Sequence, residues 1–273
     1  MMEMFNYSFM VNALIVGILI SVCCALLGTV LVLKRFSMIG DGLSHVGFGA
    51  LSVGAALSFS TPVYFAIPVV MLCAYLLLRI TENGKINADA AIAVISSSAL
   101  AVGVFVASVN GTNINIQQYM FGSILAVGKT DLVLSVVLFI VVSLLFTLFY
   151  HKIFAITFDE SFSKATGIHT KLFNTVISVL TAVTVVVGMR MLGTLLISAM
   201  IIFPVLTSMK VSGRFLPLIL TAVIIAVIST VSGLWLSFTV ENIPVGATIV
   251  IVNLCVFLLF SLYKFIRKAF QKR

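Results

Sequence analysis

Nine apolar runs separated by short polar stretches organise this sequence: 11–33, 42–60, 63–80, 88–108, 131–150, 172–188, 191–209, 215–237 and 245–265. Most are close to the roughly 20 residues an α-helix needs to cross a hydrocarbon core about 30 Å thick. They lack the short alternating segments of an outer-membrane barrel. The pattern predicts an all-α, polytopic membrane bundle of about nine transmembrane helices in a single domain, 1–273. The number falls to eight if 191–209, which carries Gly193 and Pro204, enters and leaves by the same face. The first run is too long for a cleavable signal and has no basic segment before it, so it reads as a span.

Composition agrees, and charge adds an orientation. The chain is 62% hydrophobic and 9% charged, with a mean hydropathy of +1.27, too little polar surface for a water-soluble fold of this size. Its net charge of +8 does not indicate nucleic acid, because the basic residues lie in the loops between spans. With the first loop placed inside, every Lys and Arg except Lys129 and Arg190 is cytoplasmic. That asymmetry puts the N-terminus outside and the C-terminus in the cytoplasm. The tail from Tyr263 carries Lys264, Arg267, Lys268, Lys272 and Arg273, suited to anionic headgroups of the bilayer. Cys23, Cys24, Cys73 and Cys255 fall inside apolar runs and read as small buried hydrophobes.

Chemistry concentrates at the head of the second run, Ser37-Met38-Ile39-Gly40-Asp41-Gly42-Leu43-Ser44-His45. Helical periodicity puts Asp41 and His45 on one face, one turn apart, with Ser44, Phe48 and Ser52 alongside. Ionisable groups at membrane depth are costly and mark ion pathways. One oxygen and one nitrogen ligand suit zinc, manganese or ferrous iron, yet they are half of a four-ligand site. Spacing alone equally allows Asp41 to cap the helix and His45 to hydrogen-bond a neighbour. Gly40-Asp41-Gly42 suggests a broken helix start, with the second span beginning part-way through the bilayer. The small residues that follow favour close helix packing.

Two loops carry further signals. Residues 110–130, rich in Asn and Gln, suggest a short interfacial helix outside. Gly122 to Lys129-Thr130 has one residue too many for a phosphate-binding loop and follows no strand. The internal loop 151–171 contains Thr157-Phe158-Asp159-Glu160, a capping-box pattern, and Gly167 stands where a helix would stop. A two-turn helix over 158–166 follows, with Phe158, Phe162 and Ala165 on one face. That face fits either a groove on a partner or the lipid interface. Glu241, at the external start of the last run, is a candidate for drawing cations to an entrance.

These blocks together resemble the permease subunit of bacterial metal-ion ABC importers, which take up zinc, manganese or iron. The resemblance spans nearly the whole chain. It rests on Met38–His45, Phe121–Val127, Phe158–Glu160 through Ala165–Gly167, Gly193–Pro204 and Ile243–Val250. It departs at Val46-Gly47-Phe48-Gly49, where many relatives have a Pro-Gly step, and at Glu241, where many have an aspartate.

The resemblance implies a homodimer in the bacterial cytoplasmic membrane, served by cytoplasmic ATP-binding subunits and an external metal-binding protein. Asp41 and His45 become metal ligands. Phe158, Asp159, Glu160, Phe162, Ala165 and Gly167 become the coupling segment to the ATPase. The chain itself is then no enzyme and holds no permanent cofactor, the metal being its substrate, with zinc expected first and manganese next. A stand-alone secondary transporter or channel for divalent cations is the alternative, disfavoured because it has no use for a docking loop. An intramembrane hydrolase fits poorly, since adjacent Ser44 and His45 point about 100° apart on a helix and no orienting acid is evident.

Overall fold

A computed structural model describes residues 7–59, 61–82, 87–110, 122, 127–240 and 243–271. Among these the chain is helical and shows no strand. In order the helices are α1 (Ser8–Leu33), α2 (Ile39–Ala56), α3 (Pro62–Glu82), α4 (Ala88–Val109), α5 (Lys129–Leu148), α6 (Tyr150–Phe158), α7 (Glu160–Ala165), α8 (Thr170–Leu192), α9 (Thr194–Val211), α10 (Phe215–Thr239) and α11 (Val245–Gln271). All nine apolar runs are helices. Eight among the described residues are long and apolar enough to cross a membrane. The exception is α2, because Asp41, His45 and its glycines and serines lower its hydropathy.

The segment 191–209 forms two pieces. Gly193 takes a positive φ of 89°, which only glycine adopts without strain, and ends α8. After it α9 runs unbroken through Pro204 over 18 residues. That is about 27 Å of helix, and α9 is one of the eight candidate spans.

The bundle is organised around α1, α2, α8 and α9. α2 packs against α3, α4, α8 and α9, and 12 of its 18 residues are buried. The helices around them present large apolar side chains outward, among them Val94, Phe105, Val133, Leu144, Leu259 and Phe265. Such surfaces suit lipid, which also removes the hydrophobic gain that holds a soluble core together. Close backbone approach takes over.

Glycine provides that approach. A Cβ on Gly28 of α1 would collide with the backbone carbonyl of Ile201 on α9, and one on Gly40 of α2 would meet the Ile201 Cδ1 at 2.7 Å. Gly49 of α2 lies against the Ala99 carbonyl and Gly103 of α4, and Gly42 against Ile92 of α4.

This overturns the expected broken start of the second span. The helix passes through Gly40-Asp41-Gly42 and on through Val46–Gly49 without interruption, and the glycines mark helix contacts. The break lies earlier, in the turn 34–38, where Arg35 has a φ of 64°.

Gly49→Leu should therefore destabilise the bundle by at least the roughly 1–3 kcal/mol typical of overpacking. A lowered melting temperature of the detergent-purified protein is the expected readout. An unchanged one would contradict the α2–α4 contact.

Candidate metal-transfer and coupling sites

Asp41 lies in the first turn of α2, where the positive end of the helix dipole favours a carboxylate. His45 follows one turn on, its Nε2 3.7 Å from Asp41 Oδ2. The side chains are 43% and 37% exposed, respectively, on a helix whose other faces are enclosed. The Ser44 hydroxyl is turned away and donates to the Asp41 carbonyl at 2.7 Å. Farther along the Asp41–His45 face, Ser52 buries a hydroxyl with no hydrogen-bond partner among the described residues. Nor, among those residues, does a third His, Cys, Asp or Glu join the pair. An open two-ligand arrangement can pass a cation along. It cannot enclose one.

The second site is at the end of the bundle where α1 finishes and α8 begins. Here the expected helix 158–166 is resolved differently. α6 extends to Phe158, and α7 occupies only Glu160–Ala165. The cap is Asp159, whose side chain accepts the Phe162 N–H at 2.9 Å. The Thr157 hydroxyl instead donates to the Ile153 carbonyl within α6. The sequence reading missed this because α6 continues helically through Thr157, leaving Asp159 as the first extended residue.

Gly167, φ 83°, stops α7 as expected. The Gly167 and Ile168 amides donate back to the Lys164 and Ser163 carbonyls, the paired bonds of a Schellman motif. Phe158 and Phe162 thus belong to different helices, yet both are exposed, at 60% and 63%. Phe158 rests against Phe154 and Phe215. Ala165 is also exposed.

Glu160 carries the charge chemistry of this end. Its carboxylate pairs with Lys164 at 2.8 Å and with Lys34 at 3.1 Å, and accepts from the Asn174 amide at 3.3 Å. Partial burial pushes its pKa up. The hydrogen bond from Lys164, the charge and hydrogen bond of Lys34 and the Asn174 amide outweigh that and hold it at about 2, below the ordinary 4.5. Neither Lys34 nor Asn174 stood out in the sequence, because a lysine at a span end reads as an orientation signal.

At the other end of α8, Arg190 pairs with the buried carboxylate of Asp131 at 2.9 Å. Glu241, the candidate entrance residue, lies outside the described residues, as does most of 110–130.

The lowered Glu160 pKa makes its pairing stabilising above about pH 4.5 and progressively lost as pH falls towards 2. The stability gap between the wild type and Glu160→Gln should be constant from neutral pH to about pH 5 and close below it. Parallel melting curves across that range check this; a gap that widens in acid would contradict it.

Comparison with known proteins supplies the family. The model of the ABC 3 transport family matches residues 6–264. The manganese transport system membrane protein MntC of Halalkalibacterium halodurans is 28% identical over 94% of this chain and 88% of its own. The chelated iron transport system membrane protein YfeC of Yersinia pestis is 30% identical over 94% and 87%. Among solved structures, PsaBC from Streptococcus pneumoniae in complex with Fab superposes with a TM-score of 0.82 at 27% identity, covering 94% of both chains. Full-length agreement in sequence and fold bears out the resemblance drawn from the motif blocks: the chain belongs to the ABC 3 transport family.

Proposed function

We propose that this chain is the membrane permease of an ABC importer that moves a divalent transition metal into the cytoplasm. The observation that carries it is the Asp41–His45 pair, half exposed on a helix otherwise enclosed by protein. Relatives named for manganese and iron transport support those two metals as cargo. The zinc expected from the motif blocks has no specific support among them. Both favoured ions accept mixed carboxylate and imidazole ligation.

In this reading the chain is a single permease domain and acts as a homodimer. Two copies with α2 facing its mate would bring two Asp–His pairs together, completing a four-ligand site that neither copy has alone. Transport requires such a site to bind weakly enough to release its ion. The basic end holding Lys34, Glu160 and Lys164 faces the cytoplasm, and the Arg190–Asp131 end faces outward, where a metal-binding protein would deliver cargo. Phe158 and Phe162 insert into cytoplasmic ATP-binding subunits, which supply the hydrolysis. Exposed rings just before and within a short capped helix fit a groove on a partner. A stand-alone cation transporter would leave that surface without a purpose.

Asp41→Asn keeps shape and removes charge, so it should lower metal uptake by the assembled complex at least about tenfold, as should His45→Ala. Normal uptake of radioactive manganese and iron in both variants would make the pair structural. For the loop, a cysteine at Phe162 should react with a membrane-impermeant maleimide only from the cytoplasmic side. Binding of the ATP-binding subunit should protect it. Labelling of intact cells from outside would invert the topology, and unprotected labelling in the complex would remove the docking role.

A further inference from the structure

We propose that Lys34, Glu160 and Asn174 form the clasp through which movement of α7 reaches the metal-handling end of α2. This rests on the reading of α7 as the ATPase-docking helix and adds positioning residues to it.

Three elements meet at one carboxylate. Lys34 stands at the end of α1, Glu160 opens α7 and Asn174 lies in the second turn of α8. The Lys34 Nζ donates to Glu160 Oε2 at 3.1 Å and to Asn174 Oδ1 at 2.6 Å. The Asn174 amide returns to the same Glu160 oxygen at 3.3 Å, closing a ring of three side chains. Lys34 is only 14% exposed, whereas Lys164, the other cation on Glu160, is 53% exposed. Burial separates their roles. An exposed helix pair contributes little, while a shielded pair is costly to part, because the largely buried Lys34 ammonium would lose the carboxylate that offsets its desolvation.

The chain beyond Lys34 is short and tied down. Arg35 N–H donates to the Val32 carbonyl, Phe36 to Leu31, Ile39 to Phe36 and Gly42 to Met38. α2 then begins at Ile39 and carries Asp41 in its first turn. A turn whose amides are bonded back in this way carries displacement, where a slack loop would absorb it. Glu160 meanwhile sits between Phe158 and Phe162, the two exposed rings of the docking surface. A push on those rings therefore acts on Lys34 and, through the turn, on the start of α2.

The structure also leaves room for that motion. A cavity of about 350 Å³ adjoins the clasp, lined by Lys34, Glu160 and Asn174 and by Ile39, Leu77 and Ile92. Close-packed interiors resist displacement. Here the clasp borders open space, and Ile39, the first residue of α2, lines the same space.

The test uses the complete importer, with ATP-binding subunits and binding protein, in proteoliposomes, reading manganese uptake and ATP hydrolysis together. Lys34→Met should leave co-purification of the ATP-binding subunit intact and hydrolysis within about twofold, while manganese moved per ATP falls about tenfold or more. Lys34→Glu should behave alike, and the exchanged pair Lys34→Glu with Glu160→Lys should recover the ratio to within about threefold.

A merely structural staple predicts that uptake and hydrolysis fall in step and that the ratio holds. That outcome overturns the clasp, as does an exchanged pair no better than Lys34→Glu alone. Phe162→Ala separates the two readings. If it leaves the ATP-binding subunit attached and uptake normal, the docking reading itself fails. If it releases the subunit while Lys34→Met keeps the wild-type ratio, only the clasp fails.

Discussion

A carboxylate and an imidazole cannot be turned to hydrocarbon without cost, and in this bundle the neighbouring helices cover every face of α2 except the one that carries Asp41 and His45, which stay 43% and 37% exposed. The cost of exposing ionisable groups to lipid exceeds what side-chain packing of one helix returns. The remaining faces of α2 are packed against α3, α4, α8 and α9. Enclosure needs helices to approach at backbone distance. Gly28, Gly40, Gly42, Gly49 and Gly103 each remove a side chain where another helix passes. The glycine content that makes α2 a poor isolated helix is thus what allows it to be buried. Local propensity is given up for tertiary fit.

The two ends of the bundle handle charge differently. At the Arg190 end, Asp131 is buried and also accepts the Gly128 N–H that precedes α5, so the pair closes a helix start. At the other end Glu160 serves two lysines and an amide across three elements. One arrangement fixes a single junction. The other joins elements whose relative positions must change if hydrolysis outside the membrane is to act on a site within it.

Much of this was legible in the sequence, and the failures have physical causes. Apolar run length located all nine long helices, because crossing hydrocarbon leaves no alternative to internal hydrogen bonding. Gly167 was readable as a helix stop because left-handed backbone there nearly demands glycine. Gly40-Asp41-Gly42 misled, since glycine signals either backbone freedom or close approach, and only the opposing Ile201 and Ile92 decide which. Thr157 misled because a capping pattern is local, whereas α6 carries helix straight through it from upstream. The Asp41–His45 pairing followed from helical spacing alone. Lys34 could not be found that way, since its partners lie 126 and 140 residues away.

That separation decides what kind of machine the fold can be. A permease with its ligands and its energy input on one helix would couple them by rigid-body motion, with no control over when the site is disturbed. Here the proposed ligands are on α2 and the proposed docking rings on α6 and α7, with no covalent connection shorter than the intervening spans. Whatever joins them must be non-covalent, strong enough to transmit and localised enough to release. A carboxylate whose pKa is held at about 2 stays ionised throughout the physiological range, so protons do not switch the link. In the proposed clasp its state would then be set by geometry, leaving the position of α7 as the variable that bears on α2.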